Sequence, residues 1–213
     1  MKKKTLALLL SVVLVIGVVA GSSLAWLTAK GEPVVNVFTD SDINLVLDES
    51  KLNDDGLTLD TQSPRVKGNE NYKMIPGWTI EKDPVVTIKE GSEDCWVFIK
   101  VEESASPKLD DYIEYEIDPN NWEQLKNGET PVEGVYVGTV PCKDIDADRS
   151  IKILLNNQVT VKGSVTKEMM DAIDDGADQP KLSFTAYASQ YWKNNNEAFS
   201  AYDAWVNAQP TNP

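Results

Sequence analysis

The chain has 213 residues, 41% of them hydrophobic and 25% charged, which suits one globular domain of moderate size and excludes both a disordered tail and a multi-domain machine. Lys and Arg total 20 against 34 Asp and Glu, a net charge of −14, and such a surface repels nucleic-acid phosphate. There is no histidine, so the commonest general base and the usual catalytic zinc ligand are both missing; no catalytic residue, no cofactor and no nucleic-acid partner is expected.

Lys2, Lys3 and Lys4 precede the apolar run Leu6 to Ala20, and Gly21-Ser22-Ser23-Leu24-Ala25 supplies small residues, the layout of a secretory signal peptide over residues 1–25. An uncleaved membrane anchor is the alternative, but 15 apolar residues fall short of the about 20 a spanning helix needs. Cleavage between Ala25 and Trp26 is expected, with a second candidate after Ala29. The first 25 residues hold three lysines and no acid, so the product starting at Trp26 carries 17 basic and 34 acidic residues, a net of −17.

Val34-Val35-Asn36-Val37-Phe38 and the alternating Ile43-Asn44-Leu45-Val46-Leu47 read as strands with a turn at Asp40-Ser41-Asp42. Asp48 to Tyr72 is polar, with a turn signal at Asn53-Asp54-Asp55-Gly56, and predicts a loop with at most short strands. Order returns at Met74-Ile75-Pro76-Gly77-Trp78. Val85-Val86-Thr87-Ile88 and Trp96 to Glu102 are strands separated by Glu90-Gly91, for which a hairpin is the simplest reading. Tyr112–Ile117, Val135–Val140, Ile151–Leu155, Val159–Val161 and Leu182–Gln190 follow as further strands. Helical spacing occurs twice: Lys167 to Asp175 capped by Thr166, and a stripe of Ala198, Phe199, Ala201, Tyr202, Trp205 and Val206. Gln209 to Pro213 is a polar tail. Seven or more short strands with turn signals predict an all-β, antiparallel sandwich with one or two short peripheral helices.

Asp144-Ile145-Asp146-Ala147-Asp148 opens like a calcium loop, making Asp144, Asp146 and Asp148 weak metal candidates. The sixth position of that loop needs Gly and holds Arg149; the twelfth needs a bidentate Glu and holds Leu155, which favours an acidic surface loop. Cys95 and Cys142, 47 residues apart, admit either an internal disulfide or two buried thiols. A bridge would be worth about 4 kcal/mol in the loop-entropy account. The tryptophans at 26, 78, 96, 122, 192 and 205 are too scattered to define a sugar platform, and packing is their commoner use.

Three blocks resemble the TasA/camelysin family of exported biofilm-matrix fibre proteins, whose precursors are cut by a dedicated ER-type signal peptidase. They are Ala25-Trp26-Leu27-Thr28 leading to Val37-Phe38-Thr39-Asp40-Ser41-Asp42-Ile43-Asn44-Leu45, then Pro76-Gly77-Trp78-Thr79-Ile80-Glu81-Lys82-Asp83-Pro84-Val85-Val86, and finally Leu182-Ser183-Phe184-Thr185-Ala186-Tyr187-Ala188-Ser189-Gln190. The resemblance implies a jelly-roll sandwich over residues 39–208 that polymerises when the N-terminal strand of one subunit completes the sheet of the next. Residues 26–38, with Trp26, Leu27, Val34, Val35, Val37 and Phe38, are the segment assigned to that strand; Pro33 interrupts its hydrogen-bonding, and an ordinary first strand is the alternative for Val34 to Phe38.

The implied function is a secreted, non-enzymatic subunit of extracellular matrix or cell-surface fibres. Its implied partners are copies of itself, the signal peptidase, and an accessory matrix protein or exopolysaccharide. The family's metalloprotease branch does not extend to this chain, which has no histidine to bind zinc. The alternative is a monomeric secreted module that binds cell wall or exopolysaccharide through exposed Trp and acidic loops. On the fibre reading the acidic excess restrains assembly at neutral pH and low salt, and acid or divalent cations relieve it.

Overall fold

The computed structural model describes residues 42–173 and 179–209. Ala25, Trp26, Leu27, Val34, Val35, Val37 and Phe38 lie outside these residues, as do the end of the first expected helix and most of the polar tail.

The chain is an antiparallel all-β sandwich with two short helices. One layer contains β6 (Cys95–Glu103), β8 (Trp122–Asn127), β9 (Thr130–Gly138) and β12 (Leu182–Gln190), in the order β12-β6-β9-β8. The other contains β1 (Leu45–Asp48), β5 (Val85–Ile88) and β10 (Arg149–Lys152), ordered β1-β5-β10. It also contains β4 (Thr79–Glu81), β7 (Ile113–Glu114) and β11 (Gln158–Val161), ordered β4-β11-β7. Short links, residues 82–84 and 153–157, join β4 to β5 and β10 to β11, so the two three-stranded pieces form one interrupted ribbon. Two small hairpins, β2 (Lys51–Leu52) with β3 (Leu59–Asp60) and β13 (Trp192–Asn194) with β14 (Glu197–Ala198), complete the strands.

Period-two alternation decides which side chains face inward. Cys95, Val97 and Ile99 of β6 share a buried cluster with Val86 and Ile88 of β5, Ile80 of β4, and Val159 and Val161 of β11. Burying each such aliphatic side chain contributes about 1.5–3 kcal/mol. The opposite face of the four-stranded layer is also apolar, through Phe98, Leu125, Val135 and Val137, and α2 (Ala201–Ala208) covers it with Ala204 and Trp205. The Trp205 ring lies 5.5 Å from Phe98 and 5.1 Å from Tyr187, edge-on to the latter. Ser200 caps α2 by accepting the Asp203 N–H at 3.1 Å. Thr166 caps α1 (Lys167–Asp171) in the same way from Met169.

Three expectations are corrected. β5 and β6 are not a hairpin: both edges of β5 are taken by β1 and β10, and β6 stands in the opposite layer, so the two strands face each other across the core. Runs this apolar suit interior strands, and both are interior: β5 lies between β1 and β10, and β6 between β12 and β9. The second helix begins after Ser200, so Ala198 falls in β14 and Phe199 precedes the cap, while Val206 is 51% exposed rather than part of the buried stripe. Finally, Trp122 to Asn127 is a strand where none was expected.

Candidate functional site: the free edge of β12

The β12 sequence Leu-Ser-Phe-Thr-Ala-Tyr-Ala-Ser-Gln pairs with β6 in unbroken register from Leu182↔Glu103 to Gln190↔Cys95. Among the described residues it has a strand partner on one side only. An edge strand presents a row of unpaired N–H and C=O groups, and proteins blunt such edges with charge, Pro, bulges or brevity. β12 uses none of these: it is nine residues long, uncharged, Pro-free and unbulged. The other edges are guarded. β8 carries Glu123 and Lys126 and a register shift between Gln124 and Lys126. β10 carries Arg149 and Lys152, β1 ends in Asp48, β4 has three residues and β7 two.

At the start of β12 the edge opens on a groove of about 430 Å³, bounded by Leu182, Ser183 and Phe184 on one side and by Leu47, Pro84 and residues 67–70 on the other. Leu47, Leu182 and Phe184 are half-buried and pack on the core, giving the groove a narrow apolar strip, while Asp48, Glu49, Lys67, Asn69, Glu70 and Lys82 make the rest of its lining polar. A fixed polar frame holds its far wall. Glu49, 4% exposed, accepts from the Asn69 N–H at 2.7 Å, from Asn69 Nδ2 at 2.9 Å and from Lys82 Nζ at 2.8 Å. Asn69 in turn donates to the Ser50 carbonyl and accepts from Leu52 N–H. Arg65 spans Asp48 at 2.5 Å and Asp83 at 3.0 Å and also donates to both of their carbonyls, while Asp83 accepts from Ser50 N–H and Oγ.

Burial, with the Glu49 charge nearby, pushes the Tyr72 hydroxyl up, so it stays protonated at neutral pH under Lys82, whose Nζ sits 4.8 Å from the ring centroid. Each cation of this frame is committed to a carboxylate. What the edge offers a ligand is main-chain hydrogen bonding, the chemistry that receives an extended strand.

The other candidate residues are dispersed. Asp148 accepts from Lys89 Nζ at 2.7 Å and from Glu90 N–H at 3.0 Å, which holds its carboxyl below the usual range. Among the described residues no group of three or more Cys, Asp or Glu is placed to hold a metal ion, so Asp144, Asp146 and Asp148 do not converge. Cys95 and Cys142 are brought together as fully buried thiols on facing backbone segments. Trp122 and Trp205 are buried; Trp78 and Trp192 are 52% and 44% exposed.

Among the described residues no helix is long and apolar enough to cross a membrane. No protein-family model, curated protein or solved structure matches the chain.

Proposed function

We propose that this chain is a secreted structural subunit of extracellular fibres, and that the segment Trp26 to Phe38 of one copy adds as a strand to β12 of the next. The observation that carries the reading is the nine-residue, uncharged edge of β12, unpaired on one side among the described residues. Strand addition draws its affinity from main-chain hydrogen bonds and its register from alternate side chains. Val35 and Val37, or Val34 with Phe38, present that alternation.

The strand order supports the jelly-roll form of this proposal. In an eight-strand double Greek key the first strand lies beside the last. Here β12-β6-β9 in one layer and the β4/β5, β10/β11, β7 ribbon in the other keep jelly-roll neighbours, but β1 pairs with β5 and β8 with β9, which depart from that order. Among the described residues no strand pairs with the outer side of β12, and this supports addition of a segment that comes before β1 in the sequence.

Mature protein beginning at Trp26 and a version beginning at Thr39 separate the readings. In acid or with added calcium, electron microscopy should show fibres for the first and monomers for the second, with the same far-ultraviolet circular dichroism. Equal assembly, or persistent monomers from both, overturns the proposal.

A glycan-binding monomer has one observation in its favour: Tyr191 and the exposed Trp192 form an edge-on pair 4.8 Å apart, with Lys143 Nζ 3.8 Å over the Tyr191 ring. Polysaccharide binding that survives removal of residues 26–38, without any fibre, would establish that reading instead.

A further inference from the structure

The four-stranded layer continues beyond β9. β9 pairs with β6 through Phe98↔Val137, Ile99↔Tyr136 and Lys100↔Val135, and after an outward excursion at Thr139-Val140-Pro141 the chain returns to β6 so that Cys142 stands opposite Cys95. The two residues exchange both main-chain hydrogen bonds, Cys95 N to Cys142 O and the reverse, each at 2.8 Å. Such an antiparallel pair sets the Cα atoms about 5.5 Å apart, inside the roughly 4.4–6.8 Å range of disulfides, with both side chains on one face. That face is the sandwich interior, where neither cysteine has accessible surface.

The approach is fixed by contacts that owe nothing to sulfur. Cys95 is paired on its other side with Gln190 of β12. Asp94 accepts from the Asp144 N–H at 3.0 Å and from Trp192 Nε1 at 2.9 Å, and Gly91 donates to the Ile145 carbonyl at 2.9 Å.

We propose that Cys95 and Cys142 are an intramolecular disulfide site, oxidised by a small-molecule or protein disulfide outside the cytoplasm. It rests on the export in the proposed function but not on fibre assembly, so a bridged monomer that forms no fibres would fail only the assembly reading. The thiolate of one cysteine attacks the oxidant's disulfide, forming a mixed disulfide and releasing one thiol. The other cysteine then gives up its proton and displaces the second thiol, so two electrons pass to the oxidant and one S–S bond forms in the protein. The burial that makes the pair inaccessible once folded also places the reaction before the layers close, and afterwards shields the bond from reductants. The link would tie β6 to the segment that crosses from β9 to β10, enclosing β7, β8 and β9 in a covalent loop.

The test is thiol alkylation of mature protein refolded in a mixed oxidised and reduced glutathione buffer, denatured, and weighed by mass spectrometry. The expected result is a monomer lacking two hydrogens, with no label before reduction and two labels after it. Two labels without prior reduction, or disulfide-linked dimers, overturn the proposal. The thermal midpoint of the wild-type protein should also fall when reductant is added, whereas that of C142S should not; equal shifts would refute the link.

Discussion

Replacing Lys82 by Met removes the one cation that binds Glu49 among the described residues, while keeping most of the aliphatic length that packs over Tyr72. The ion pair is largely out of water, with side-chain exposures of 12% for Lys82 and 5% for Glu49 at 2.8 Å. Removing one partner of a buried pair costs about 3–5 kcal/mol, mostly because the other charge is left uncompensated. Glu49 keeps the two hydrogen bonds from Asn69, so K82M should cost about 3 kcal/mol, the lower end of that range. In the double variant K82M/E49Q the orphaned charge is gone and an amide oxygen still serves Asn69, so its total cost should be only about 1–1.5 kcal/mol. Urea unfolding of the wild type, both single variants and the double variant, followed by tryptophan fluorescence, gives the cycle, and the m-value should not change. A K82M cost below about 0.5 kcal/mol, or single-variant costs that simply add, would refute the role given to this pair as the fixed wall of the β12 groove.

Trp205→Ala should destabilise the fold by about 3–5 kcal/mol, because it opens a cavity over Phe98 and Tyr187; calorimetry checks this, and a loss under 1 kcal/mol would mean that α2 is not a true layer. Gly134→Ala should cost at least about 1 kcal/mol in urea unfolding, since φ is +66° and an added Cβ would meet the Val101 carbonyl oxygen at 2.7 Å. The acid response follows from Asp110, Asp148, Asp55 and Asp60. They are held below the ordinary 3.8 by hydrogen bonds from Lys162, Lys89, Thr58 and Ser63 respectively. The folded state therefore binds fewer protons than the unfolded one, and the stability these groups contribute is complete above 3.8 and is lost as pH falls through their lower folded values. Circular dichroism should thus hold down to about pH 4 while light scattering already rises from titration of ordinary carboxylates; unfolding that precedes assembly would contradict this.

The parts of the fold legible in the sequence are those where one face alone is buried or one turn residue is required. β5 and β12 occupy the residues their β-branched and alternating patterns predicted, and the turn at Asn53 to Gly56 closes with Gly56 at φ +70° and its N–H on the Asn53 carbonyl. β8 was illegible because its apolar residues, Trp122 and Leu125, lie on opposite faces, one in the core and one beneath α2, so neither face shows a repeat. β13 is exposed throughout, and its one apolar residue, Trp192, makes no repeat. β5 and β6 are neighbours in sequence but not in a sheet, because each is paired on both sides by other strands and no local signal in the chain specifies those distant partners. At the candidate site, the missing charges of β12 are visible in the sequence, but its status as an edge is a property of topology. Nothing in the chain pairs Glu49 with Lys82, 33 residues away, before the groove wall is built.

Hydrogen–deuterium exchange of Leu182 to Gln190, compared between monomer and fibre of the mature protein, tests strand addition most directly. Every second amide of β12 points away from β6, and these should exchange quickly in the monomer and become strongly protected in the fibre. The rest of the sandwich should change little. Fibres in which β12 exchanges as fast as in the monomer would contradict assembly through this edge.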